Sequence, residues 1–150
     1  LEAGKSVTAY INHAEQVSKE EGLFAIFDLK HDFPTQWHQL LSPNQETTSF
    51  EITNSHFPYL FNGRTLEIIE TKVYLKPKGN VRIMPSSTDI TLNDTPISTW
   101  NARQDIPLTE GTVEGTGSPT KTWAIGIVGA FDKATIDDFL ILIRYRVNPL

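Results

Sequence analysis

The sequence predicts an all-β protein, an antiparallel β-sandwich of jelly-roll or Greek-key type with a short N-terminal helix and one or two helical turns in its loops. Three observations carry that prediction. Residues 136–147 place Phe139, Ile141, Ile143, Tyr145 and Val147 on one face at a period of two, which a strand has and a helix does not. Residues 47–53 and 121–128 repeat the alternation, with Thr48, Phe50 and Ile52 in one and Trp123, Ile125 and Ile127 in the other. Between such runs, Gly, Pro, Asn and Asp clusters recur at intervals of roughly ten residues, as they do in sandwiches.

The elements follow in order. Residues 6–22 carry Tyr10, Ile11, Ala14 and Val17 at spacings of three and four and end in Gly22, predicting an amphipathic helix with a glycine C-cap. Residues 1–22 are therefore a helical lead-in, and residues 23–150 are the sandwich domain. Residues 23–30 are nearly all apolar on both faces, which predicts a central strand. Asp32, Phe33 and Pro34 then open a helical turn with Trp37, Leu40 and Leu41 on one stripe.

After the half-buried strand at 47–53, an aromatic connection (His56, Phe57, Pro58, Tyr59, Phe61) runs to the Asn62-Gly63 turn. A long strand over 64–76 changes phase at Ile68-Ile69, the mark of a β-bulge or a bend between sheets. Val81 with Ile83, and Ile90 with Leu92, predict two short strands. Residues 93–120 are rich in Thr, Gly, Pro and Asp and predict loops with short edge strands around Trp100, Ile106, Leu108 and Val113. The strand at 121–128 and a turn over 129–135 lead into the closing strand.

The chain of 150 residues fits one domain. Without cysteine it has no disulfide and no thiolate metal site. Its net charge of -5 and its scattered basic residues argue against a nucleic-acid partner. The longest apolar run, residues 139–143, falls far short of the ~20 residues that span a bilayer, so no membrane insertion by this segment is expected. No basic region followed by an apolar core marks a signal peptide, and the Leu1-Glu2 start is expected of a piece of a longer or processed chain.

Chemistry has few footholds. None of His13, His31, His38 and His56 forms an i, i+4 helical pair, and the nearest approach to a ligand set is His31, Asp32 and His38. The simpler reading of these three is a turn acid beside two surface imidazoles, and no metal is predicted. Asp137 and Asp138 enter a strand side by side, so the pleat sends their carboxylates to opposite faces, against a shared ion or a catalytic pair. There is no G-x-S-x-G elbow, and Gly115-Thr116-Gly117 lacks the Lys of a phosphate loop. No catalytic residue and no cofactor is predicted. Among the aromatics, Trp37 and Trp123 share stripes with core residues, which leaves Trp100, with Phe57 and Tyr59, as the ring platform of a carbohydrate-binding sandwich; the alternative for Trp100 is a lid over the sheet.

Three segments in this order carry a resemblance: residues 23–29 (LFAIFDL) after a helix, Asp32-Phe33-Pro34 opening a Trp/Leu turn, and residues 136–145 (IDDFLILIRY) after Trp123-Ala124-Ile125. With Phe50-Glu51-Ile52 and His56-Phe57-Pro58-Tyr59 between them, the chain resembles the C-terminal region of the A subunits of bacterial Tc (toxin complex) insecticidal toxins. Residues 80–120 depart most from that family, whose acidic, glycine-rich approach to the Trp strand is loosely echoed at residues 110–115. The resemblance implies a secreted, non-enzymatic β-sandwich that docks the toxin's B subunit, with Glu110 and Glu114 joining Trp100, Phe57 and Tyr59 as contacts. A carbohydrate-binding module, with a glycan as partner, is the alternative function.

Overall fold

The computed structural model describes residues 22–42, 44–58, 61, 63–79, 83–102, 108–113, 115–128 and 131–148. The predicted helix at 6–22 and Val81 lie outside them, except for Gly22, whose φ of 83° is the left-handed conformation that a glycine C-cap adopts.

Two antiparallel sheets form a sandwich. The strands are β1 (Leu23–Asp28), β2 (Thr47–Glu51), β3 (Leu66–Pro77), β4 (Ile90–Leu92), β5 (Thr95–Pro96), β6 (Thr99–Ala102), β7 (Thr109–Val113), β8 (Thr122–Ile127) and β9 (Ile136–Val147). One sheet runs β1-β9-β3-β7-β6 and the other β2-β8-β4-β5. Two short helices, α1 (Leu29–Asp32) and α2 (Pro34–Leu41), follow β1 directly. The all-β class and its helical turns are as the sequence predicts.

The closing strand β9 lies between the edge strand β1 and the central strand β3 of the larger sheet. It pairs with β1 along six residues, from Leu23 opposite Tyr145 to Asp28 opposite Leu140, and with β3 along its other edge. Phe139, Ile141, Ile143, Tyr145 and Val147 are buried, the face that the period-two pattern assigns to the core. Burying a side chain of this size contributes roughly 1.5–3 kcal/mol, so this one strand supplies a large share of the driving force. The phase change in β3 is real: the register to β9 shifts between Ile68 and Glu70.

Across from β9, Trp123, Ile125 and Ile127 of β8 meet Phe50 and Ile52, and Ile90 and Leu92 of β4 complete the wall. The β4–β5 hairpin turns through Asn93 and Asp94, both at positive φ, which gives the tight twist of a two-residue hairpin. The Asn93 side-chain oxygen also accepts the Ala124 N–H.

Two expectations are corrected. Ile83 is buried but belongs to no strand, because its neighbourhood is a Pro85 and Ser86 connection held by the Asp89 carboxylate rather than by a ladder. More consequentially, the apolar strand at 23–30 is not central. It ends at Asp28, where α1 begins, and it lies at the edge of its sheet.

Candidate functional site: the bare face of β1 and the carboxyl pocket at its end

Continuous apolar sequence means burial on both faces only when the strand sits inside a sheet. In β1 the inner face behaves as expected: Phe27 is buried and Leu23 and Ala25 pack against the core. The outer face does not. Phe24 is 62% exposed and Ile26 68%, and with Met84 they are the exposed large apolar side chains of the described residues. The outer face continues onto β9, where Leu142 stands opposite Ile26, Arg144 opposite Phe24 and Leu140 opposite Asp28. All three of those β9 residues are half-buried. Among the described residues β1 pairs with β9 alone, which places it at the edge of its sheet.

Asp28, the last residue of β1, terminates this face. It is the N-cap of α1, its carboxylate accepting the His31 N–H at 3.3 Å while its second oxygen lies 2.8 Å from His31 Nδ1. The fold brings Asp138 of β9 to the same place, so that one ligand-type atom from each of Asp28, His31 and Asp138 lies within 4.8 Å of the others. Asp138 is 6% exposed. Its Oδ1 accepts the Phe139 N–H at 2.8 Å and the Lys30 N–H at 3.4 Å.

Burial, and then the hydrogen bond shared with Asp28, push the Asp138 carboxyl up to about 6. Burial would also raise Asp28, but its hydrogen bonds with Asp138 and His31 outweigh that and hold it below the ordinary carboxylate value. Below about pH 6 Asp138 therefore holds a proton while the charge rests on Asp28. The neighbouring cations are engaged elsewhere: Lys30 Nζ lies 3.3 Å and Lys76 Nζ 3.7 Å from Asp137. Lys30, by hydrogen bond and charge, holds Asp137 below the usual range despite a small opposing desolvation.

The sequence singles out His31, Asp32 and His38, of which the structure places only His31 in this cluster. The Asp32 carboxylate instead accepts the Asp28 N–H at 2.8 Å, and His38 is exposed on α2. His56 caps its own turn, with Nδ1 accepting the Thr53 N–H at 2.9 Å. Asp28 and Asp138 escaped the sequence reading as a pair because 110 positions separate them. The Asp-x-x-His spacing at the start of α1 is the one local signal that was available.

The ring platforms are corrected. Trp100 is on β6 and 9% exposed, with its indole N–H donating to the Ile97 carbonyl at 2.9 Å and its ring lying against Gly111. It is a lid over the sheet and presents no free face to a sugar. Phe57 is a core ring, edge-on to Tyr145 at 5.1 Å and to Phe27 at 6.2 Å, because an aromatic ring between two layers loses more water contact than one stacked outside. Trp123 is buried and donates to the Pro119 carbonyl at 2.9 Å, and Trp37 is buried beneath α2. Glu110 is half-buried on β7, its carboxylate 3.2 Å from Lys72 Nζ. Tyr59 and Glu114 lie outside the described residues. No helix of the described residues is long and apolar enough to cross a membrane.

No family model, no curated protein and no solved structure matches the chain, so the likeness to Tc toxin A subunits rests on the sequence motifs alone.

Proposed function

We propose that this chain is a non-enzymatic protein-docking module of a larger secreted assembly and that β1 is its docking element. The observation that carries the reading is a strand at the edge of its sheet, among the described residues, with two side chains, Phe24 and Ile26, that are 62% and 68% exposed. The occupant is an extended segment of a partner protein. Such a strand satisfies the edge's N–H and C=O groups and lays apolar side chains beside Phe24, Ile26 and Leu142. Natural edge strands are normally blunted by Lys, Pro or bulges, and LFAIFD has none of these. The motif likeness nominates a Tc-type B subunit as the partner.

The test is co-elution of the full chain with such a B subunit at micromolar concentration, wild type against a Phe24→Ser/Ile26→Ser variant. The reading expects a complex that the variant loses. Absence of a wild-type complex, or a complex indifferent to the double substitution, would overturn it. So would a concentration-dependent dimer of the chain alone that the variant abolishes, since the occupant would then be a second copy.

A further inference from the structure

The β-bulge between Ile68 and Glu70 resets the phase of β3, so that Thr71 joins Leu66, Ile68, Val73 and Leu75 on the buried face. A hydroxyl is thereby carried into an apolar interior, where it is costly without a partner. Thr71 is 2% exposed, and among the described residues its side chain makes no hydrogen bond. Its oxygen is nevertheless not sealed in. The side chain lines a cavity of about 170 Å³ between the two sheets, walled by Ile68 and Val113 from one sheet and by Leu92 and Trp123 from the other.

We propose that this cavity binds a small organic monoanion, a carboxylate whose apolar body is a single ring. Volume and lining select that class. A cavity of about 150 Å³ accepts benzene, so this one holds one ring and little more. The polar side chains that line it can all donate a hydrogen bond, and none is an acid. Asn93 has its side-chain oxygen committed to the Ala124 N–H, which leaves its NH2 group for a ligand. Lys121 Nζ lies 4.9 Å from the centre of the Trp123 ring and makes no ion pair among the described residues, although Glu51 lines a neighbouring hollow with it. A carboxylate seated here is met by the Thr71 hydroxyl, the Asn93 amide and the Lys121 charge, while its ring lies against Leu92, Val113 and Trp123. None of the lining residues is on β1, so the site stands apart from the docking element.

The test titrates benzoate, as the probe, into the full chain by calorimetry and follows the indole N–H resonances in proton–nitrogen correlation spectra. One saturable equivalent is expected, with the Trp123 resonance shifting and those of Trp37 and Trp100 holding still. Binding should weaken about tenfold in Thr71→Val and in Lys121→Met and stay unchanged in Lys78→Met, a lysine outside the cavity. Benzamide, a neutral probe of the same shape, should bind about tenfold more weakly than benzoate. Lys121 is exposed, so its replacement leaves the core intact, and Thr71→Val removes a hydroxyl without a partner and should not lower the melting temperature. Absence of saturable benzoate binding would overturn the site, as would binding indifferent to Thr71→Val or to Lys121→Met, equal loss in Lys78→Met, or equal affinity for benzamide. A melting temperature lowered by Thr71→Val would also overturn it, since the hydroxyl would then be bonded within the fold.

Discussion

The two edges of the five-stranded sheet are built on opposite plans. At one end, β6 is four residues long, turns Thr99 and Asn101 outward, and buries Trp100 against Gly111 of β7. At the other end, β1 turns Phe24 and Ile26 outward and has its polar residue, Asp28, at its tip. A short polar edge resists pairing with another chain, and a longer apolar edge invites it. The same sheet therefore has a closed edge and an open one, and the contrast singles out β1 more firmly than its apolar sequence alone would.

The closed edge should be the costly one to damage. Trp100→Ala removes the ring that seals β6 and its bond to Ile97, and is expected to lower unfolding free energy by about 3–5 kcal/mol in urea titration. Gly111→Ala attacks the same seal from beneath. A Cβ there would stand 2.7 Å from Trp100 Cζ3 and 2.8 Å from Ile97 Cγ2, and overpacking of this kind costs about 1–3 kcal/mol. The two together should cost less than their sum, because deletion of the ring removes part of the clash. Additive losses would place the strain elsewhere.

The tip of the open edge carries a pH signature. Asp138 titrates at about 6 in the fold against 3.8 as its ordinary value. Between about pH 4 and 6 the folded chain therefore holds a proton that the unfolded chain has released, so its stability falls as pH rises through that window and levels off above it. A decline of about 1–3 kcal/mol is expected. It should be absent in Asp138→Asn. The depressed Asp28 acts the other way, and its contribution fades only in more acid solution. A flat profile in the wild type would refute the proton on Asp138.

The smallest effect on stability belongs to the open edge itself. Phe24→Ser with Ile26→Ser should change unfolding free energy by no more than about 0.5 kcal/mol per site, since both side chains stand largely in water. A larger loss would mean that this face is covered within the chain, and it would erase the contrast with β6.

Much of the fold was legible because period-two burial writes itself into neighbouring residues. β9 has the boundaries that its alternation indicates, β8 and β2 are one or two residues shorter at an end but bury the expected faces, and the phase slip in β3 appears at the residues where the pattern breaks. Pro34 opens α2 with Trp37 and Leu40 inward, again a local signal. Trp100 sits among polar residues in the sequence, which left it open between a ring platform and a lid, and its burial as a lid comes from Gly111 and Ile97. The Asp28–Asp138 contact had no sequence signal at all.

What the sequence by itself determined is the class of structure and which face of each strand is apolar, since side-chain alternation and turn chemistry act over a few residues. Which strand stands at an edge was decided by the tertiary structure. LFAIFD reads as a buried strand, and it became an exposed one because β9, arriving more than a hundred residues later, paired with it on one side and with β3 on the other. Strand order is set by long-range pairing and loop closure, which no local pattern records. The open face, the carboxyl pocket and the seal over β6 are consequences of that order.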